Sequence, residues 1–186
     1  MSISLGCVGQ SSHQINSFFQ DFIRTSRVAS PIIYTDKMPD WLLSDRIKAV
    51  DKDTIRGWNR NNIQLASRGR DSLILTYDER SYLIQQIGQQ KSRLWKEGVI
   101  EGASLIPSDS IEMTFKTARS DWNKFHQNYG KEYYSFSTPI FLRDDSLCFF
   151  YYEQYCGYDC GNAEFLVYRK VQDHWELAFT FWGWVS

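Results

Sequence analysis

Hydrophobic residues recur at helical spacing in the N-terminal half of the chain. The first such segment begins near residue 15, and its apolar positions occupy one face of an amphipathic helix. A second segment follows Thr76 and Glu79, whose T-x-x-E spacing is that of a capping box, and it predicts a helix over about 77–96. Two shorter helices are predicted between residues 107 and 130. The predicted helices therefore all lie before the point at which the hydrophobic pattern changes from helical to strand spacing.

From Tyr133 onward the pattern is typical of strands. Long apolar segments are separated by polar turns at 143–146 and 171–174, which predicts an antiparallel meander. In the last segment, large residues from Trp175 to Phe181 alternate with smaller or polar ones, as expected for a strand with one buried face. The fold predicted is α+β, with N-terminal helices packed on a C-terminal curved antiparallel meander.

The segment between residues 31 and 75 has no clear period. Residues 31–43 contain two prolines and indicate an extended connection with a docked aromatic side chain at Trp41. Residues 44–75 mix charges with short apolar pieces, such as 73–75, and we interpret them as short strands or irregular structure.

The turn positions predict the register of the meander. A turn at 172–173 places Arg169 opposite Glu176 and Leu166 opposite Phe179. Both faces of the resulting sheet are largely apolar. Such a sheet must be covered on both sides, by helices on one and by other chain segments or a partner on the other.

Two cysteines flank a predicted three-residue loop in the stretch YYEQYCGYDCGN. Residues on either side of such a loop can bring their Cα atoms within about 5 to 6 Å, so Cys156 and Cys160 are the disulfide candidate. A zinc site requires about four Cys or His ligands, and a thioredoxin-like centre requires C-x-x-C at a helix start. Neither requirement is met, so we expect a disulfide in an oxidising compartment and two free thiols in a cytosol.

Composition and charge limit the class of protein. With 186 residues and 42% hydrophobic content, the chain can bury a full core without a cofactor. We therefore predict a flexible tail over 1–13 and a single α+β domain over 14–186. Because 21 basic residues nearly balance 22 acidic ones without long runs of one sign, we expect no dedicated nucleic-acid surface.

The polar residues form no recognisable catalytic motif, and we predict no catalytic, cofactor or metal residues. His126 is interpreted as a core or boundary histidine and His174 as a solvent-exposed turn residue. The turn carboxylates are favoured there for local hydrogen bonding and need no catalytic role; they are Asp144, Asp145, Asp159 and Asp173.

The N-terminal stretch SLGC has two interpretations. It is either a disordered tail with an incidental cysteine or the end of a bacterial lipoprotein signal in which Cys7 is lipidated. The second interpretation implies a membrane tether through Cys7.

The C-terminal third resembles a group of uncharacterised bacterial proteins, many of them predicted envelope lipoproteins. The resemblance covers about the last 55 residues, and it departs from the group's pattern at Val185 and Asn162. The matching positions are Ser137, Pro139, Ile140, Phe141, Cys156, Gly157, Cys160, Gly161, Trp175, Trp184 and Ser186. This resemblance implies an extracytoplasmic location in the cell envelope and supports lipidation of Cys7. It implies no particular activity for the chain.

Two functions from different classes are left open. The favoured one is a non-enzymatic envelope or secreted module that binds a protein or a small ligand through its doubly apolar sheet. The alternative is a hydrolase-like or ligand-processing enzyme with a deep pocket between helices and sheet that holds a carboxylate or histidine.

Overall fold

The computed structural model describes residues 11–26, 28, 31–39, 43–58, 71–116 and 122–186. Within these residues the fold is α+β, with helices mostly in the N-terminal part and strands in the C-terminal part. The helices are α1 (Ser12–Thr25), α2 (Leu43–Val50), α3 (Tyr77–Gln89), α4 (Ser108–Lys116) and α5 (Trp122–Asn128), with a short 3-10 helix at Gln90–Ser92. The strands are β1 (Ile32–Thr35), β2 (Thr54–Gly57), β3 (Asp71–Ile74), β4 (Ala103–Ile106), β5 (Tyr133–Phe136), β6 (Ile140–Leu142), β7 (Leu147–Gly157), β8 (Cys160–Val171) and β9 (His174–Val185).

The main sheet has the order β4-β1-β5-β7-β8-β9, and β6 also pairs with β7. Strands β7, β8 and β9 form the predicted antiparallel meander. The sheet is mixed, however, because β1 runs parallel to both β4 and β5. Residues 31–43 were expected to form an extended connection, but Ile32–Thr35 is a buried strand inside the sheet. Trp41 lies outside the described residues.

Helix α1 covers one face of the sheet. It starts with a capping box, in which Ser11 accepts from the backbone N–H of Gln14 and the Gln14 side chain accepts from that of Ser11. Its apolar side is buried, and the rings of Phe18 and Phe22 each lie 4.9 Å from that of Phe150 in edge-on contact. The predicted amphipathic helix is thus confirmed, and it begins at residue 12.

The opposite face is covered by α2, α3 and the antiparallel pair of β2 and β3. The capping box of Thr76 and Glu79 is present, and α3 ends at Gln89 before the short 3-10 turn. Helix α2 corrects the interpretation of residues 44–75, because Leu43–Val50 is helical where short strands or irregular structure were expected. Both apolar faces of the meander are therefore covered by this chain's own elements.

The last hairpin follows the predicted register only in part. Arg169 lies opposite Glu176 as expected, but Leu166 pairs with Thr180 rather than with Phe179. The reason is a β-bulge at Ala178, which adds one residue to β9 and moves Phe179 and Thr180 to the other face; a second bulge at Phe181 adds another residue before Trp182. Phe179 consequently packs in the cluster under α2 and α3.

None of the described helices is both long enough and apolar enough to cross a membrane.

Candidate functional site

The cysteine hairpin is a clamped strand connection. Cys156 and Cys160 form a disulfide, with their Cα atoms 5.1 Å apart. The turn is shorter than expected, since Gly157 pairs with Cys160 and only Tyr158 and Asp159 form the turn. Cys156 is the extra residue of a bulge between Tyr155 and Gly157, and this bulge accounts for the difference. The disulfide holds the register at the tip of β7 and β8.

The histidines named from sequence do not lie together. His126 is exposed rather than buried, although its ring lies 5.7 Å from that of Trp122. His174 is exposed as expected, and its Nδ1 lies 3.2 Å from Oδ1 of Asp21 on α1. The contacts described for His126 are with the rings of Trp122 and Phe125, and that of His174 is with the Asp21 carboxylate.

The turn carboxylates have local roles. Asp144, Asp145 and Asp173 adopt positive φ in the turns where they were expected, a conformation that Asp tolerates well. Asp145 also accepts a hydrogen bond from the Gln14 side chain of α1. Within the described part of the chain, no group of three His, Cys, Asp or Glu side chains could hold a metal ion. The lipidation candidate Cys7 lies outside the described residues.

A buried ion pair that sequence reasoning missed lies between α2 and the sheet. Arg46 is 2% exposed and Glu153 is fully buried, with Nη2 and Oε1 3.3 Å apart. The guanidinium also lies over the ring of Tyr151, 3.6 Å from its centroid. The hydroxyl groups of Tyr151 and Tyr155 both donate to the Glu153 carboxylate. This cluster fixes α2 on the sheet.

Burial raises the pKa of the Tyr151 and Tyr155 hydroxyls, and the Glu153 carboxylate raises the pKa of both further. These phenols therefore stay protonated and remain hydrogen-bond donors. With two hydroxyl donors in addition to Arg46, the Glu153 carboxylate is well supplied with hydrogen bonds. Arg46 is less well supported: its Nε has no acceptor in the described structure, and its Nη1 faces only the sulfur of Met38 at 3.9 Å.

On the outer side of α2 a cleft of about 300 Å³ opens between this helix, β2 and β9. We call it the basic cleft. Its lining combines three cations with two aromatic rings and two small or aliphatic side chains: Lys48, Lys52, Arg56, Phe181, Trp182, Ala49 and Ile55.

Local sequence places these groups together. Helix α2 turns Arg46 inward and leaves Lys48 exposed, and strand β2 buries Ile55 while exposing Arg56. The backbone of Trp58 bonds to that of Thr180 in both directions, at 2.9 and 2.8 Å, and so brings β2 to the outer edge of β9.

The electrostatics of the basic cleft favour an anion. Among the residues that the structure describes, none of those lining it is a carboxylate. Two nearby carboxylates, Asp51 and Asp53, pair instead with Arg80 of α3. Among the described residues, no carboxylate lies within 4.0 Å of the charged groups of Lys52 or Arg56.

A second cleft of about 260 Å³ lies between the start of α1, the segment 90–99 and the end of β5. We call it the inner cleft. Its described walls are mostly apolar, and they also include two cations and three amide- or hydroxyl-bearing side chains: Ile15, Met38, Leu94, Trp95, Val99, Phe136, Arg93, Lys96, Gln90, Thr138 and Ser12. It corresponds in place to the pocket between helices and sheet expected for an enzyme, but the part of its lining that the structure describes includes no carboxylate and no histidine.

The sequence carried one signal for the basic cleft. Lys48, Lys52 and Arg56 are spaced four apart, but the helix ends at Val50 and a strand follows, so the spacing alone does not place them on one face.

Comparison with known proteins gives no match of any kind: no family model, no curated protein and no solved structure is similar to this chain.

Proposed function

We propose that this protein is a non-enzymatic binding module that takes a small anionic ligand with an apolar or aromatic part into the basic cleft. The observation that carries the proposal is the convergence of Lys52 and Arg56, beside Lys48, with the rings of Phe181 and Trp182; among the described lining residues there is no carboxylate. The cleft has the size of small-molecule sites, which begin at about 300 Å³.

The ligand chemistry follows from the two kinds of side chain. Ammonium and guanidinium groups at the rim supply charge-assisted hydrogen bonds to carboxylate, sulfate or phosphate oxygens. The rings of Phe181 and Trp182 supply apolar surface and a face for stacking. Both faces of the sheet are covered by the chain's own helices and strands. A ligand therefore has better access to this cleft than to the sheet faces.

The hydrolase-like alternative requires a carboxylate or histidine in a deep pocket. The described residues that line the basic and inner clefts include neither, so they give that alternative no support.

The basic cleft is tested with anilinonaphthalene sulfonate, an aromatic anion, and with phenylnaphthylamine as its uncharged counterpart. We expect the sulfonate to bind more tightly than the amine. Lys52→Glu and Arg56→Glu should each weaken sulfonate binding about tenfold, because each replaces an attraction by a repulsion. Both side chains are exposed, so both variants should fold as the wild type does.

The matched control is Lys131→Glu, which makes the same charge change at an exposed lysine outside the cleft. It should leave sulfonate binding unchanged. Equal binding of the two probes, or equal losses in Lys131→Glu and Lys52→Glu, would refute the assignment, since both results would mean that general charge or surface hydrophobicity explains the binding.

We further propose an oxidising, extracytoplasmic compartment with a membrane tether through Cys7. The disulfide between Cys156 and Cys160 supports the compartment, because such bonds persist outside reducing cytosol. Native protein from fractionated host cells, alkylated before and after reduction, should show this pair blocked until reduced. Cys148 is fully buried and serves as an internal control that is modified only after unfolding. Labelled lipid recovered on Cys7 would support the tether, and free thiols at both hairpin cysteines would exclude the proposed compartment.

A further inference from the structure

The buried guanidinium of Arg46 has unused hydrogen-bonding capacity next to the inner cleft. Arginine carries five N–H donors in a planar fork. In the described structure its one oxygen acceptor is Oε1 of Glu153, at a long 3.3 Å, and its Nε has no acceptor. A buried donor without an acceptor costs free energy. Arg46 is 2% exposed, so water does not reach it freely.

Met38 separates this guanidinium from the inner cleft. Its sulfur lies 3.9 Å from Nη1 of Arg46, and the same side chain lines the cleft. A thioether is a weak acceptor, and an unbranched methionine changes rotamer easily within a core. Movement of Met38 would therefore open a path from the cleft to Arg46.

The rest of the inner cleft also suits a negative charge with an apolar body. Arg93 donates to the amide oxygens of Gln86 and Gln89 at 2.6 and 3.2 Å. Because both partners are neutral, these hydrogen bonds do not balance the positive charge of Arg93. Lys96 lies exposed at the rim. The walls between these cations are apolar, with Trp95 and Val99 among them.

We propose that the inner cleft binds an aliphatic monocarboxylate whose carboxylate displaces the Met38 sulfur and accepts hydrogen bonds from Arg46. Glu153 does not prevent this, because the hydroxyl groups of Tyr151 and Tyr155 continue to support its charge. This site is separate from the basic cleft and shares none of its lining residues.

The test uses methyl-labelled methionine in the full chain, followed by NMR during titration with decanoate and, separately, with decanol. The chain has three methionines. The Met38 methyl resonance should move saturably with decanoate, whereas that of Met113, which is exposed on α4, should not move. Decanol should bind at least about tenfold more weakly, because it lacks the charge that Arg46 would pair with.

Arg46→Lys keeps the charge beside Glu153 but loses the guanidinium fork, and it should weaken decanoate binding about tenfold without affecting decanol. Val99→Trp fills the cleft and should abolish binding of both; it also serves as the test if Arg46→Lys fails to fold. Lys52→Glu in the basic cleft should change neither titration, which separates this site from the proposed function. An unmoved Met38 resonance, or equal affinities for decanoate and decanol, would overturn the proposal.

Discussion

The carboxylate of Asp21 on α1 accepts a hydrogen bond from the backbone N–H of Trp175 on β9, at 2.7 Å. The two residues are 154 positions apart, and Asp21 is 6% exposed. The same carboxylate accepts from Arg24 at 2.8 Å and faces His174 at 3.2 Å. This contact fastens the first helix to the start of the last strand.

Asp21→Ala should therefore lower the free energy of unfolding by about 1–3 kcal/mol, because it leaves the Trp175 N–H buried without an acceptor. Urea denaturation at neutral pH measures the change. Glu112→Ala is the control, since Glu112 is exposed on α4 and its described ion pair is with Lys116, one turn away at 3.6 Å. A contact of that kind contributes a few tenths of a kcal/mol at most. Equal effects of the two substitutions would contradict the role of Asp21.

The same contact predicts a pH dependence. Burial tends to raise the pKa of Asp21, but the hydrogen bonds from the Trp175 backbone, His174 and Arg24 outweigh it and hold the pKa below its ordinary value of 3.8. A carboxyl group with a lowered folded pKa contributes stability that is present above the unfolded pKa and is lost as pH falls through the folded pKa. The stability difference between wild type and Asp21→Ala should thus be full near pH 6 and shrink below about pH 4. A difference that stays constant over this range would show that the carboxylate's charge is not involved.

The alternation of apolar and polar positions predicted the meander and most of its pairs, because strand registers near a tight turn follow from the turn itself. It could not predict the bulge at Ala178, which inserts one residue without interrupting the alternation of large side chains. The predicted pairing of Phe179 with Leu166, and so the sheet face predicted for Phe179, was wrong for that reason. Strands β1 and β4 were also missed, since each has only four residues, and β1 is buried along its whole length and so shows no alternating pattern.

The candidate sites were harder to predict from the sequence than the fold was. Arg46 looks like any charged residue on a short helix, and Glu153 like any polar residue at the end of a strand. They are 107 residues apart and meet only because α2 packs on the β7 face. Charged residues are rarely buried unless paired, so composition gave no reason to place either of them in the core. The hairpin disulfide could be predicted because its two residues are local to one turn.

Removal of the disulfide should destabilise the protein modestly. The bond closes a loop with a sequence separation of only four, for which chain entropy gives about 2 kcal/mol. We expect Cys156→Ser with Cys160→Ser to lower the free energy of unfolding by no more than this and to leave sulfonate binding in the basic cleft intact. Comparison of the double variant with oxidised wild type, both by urea denaturation, measures the effect. A loss of folding in the double variant would show that the hairpin has a larger structural role than a register clamp.

The ion pair of Arg46 and Glu153 should behave as a coupled unit. Arg46→Met or Glu153→Leu alone should cost about 3–5 kcal/mol, because each leaves a buried charge without its partner. The double variant should cost clearly less than the sum, since neither charge is then left behind. Chemical denaturation of the four proteins of this double-mutant cycle gives the coupling energy. Additive losses would mean that the two side chains stabilise the fold independently, despite their 3.3 Å contact.

The close approach of β2 to β9 depends on Gly57. A Cβ atom at this position would lie 2.2 Å from the carbonyl oxygen of Thr180 and 2.5 Å from the ring of Phe179, so the strands would have to separate. Gly57→Ala should cost about 1–3 kcal/mol in unfolding free energy, as overpacked sites do. It should also weaken sulfonate binding, because Arg56 and Trp182 would move apart across the basic cleft. Gly88→Ala is the matched control: Gly88 is exposed on α3 with no atom within 4 Å of the added Cβ, and alanine there should stabilise the helix by up to about 1 kcal/mol. If Gly57→Ala were as stable as wild type and bound the sulfonate equally well, the contact between β2 and β9 would not determine the shape of the cleft.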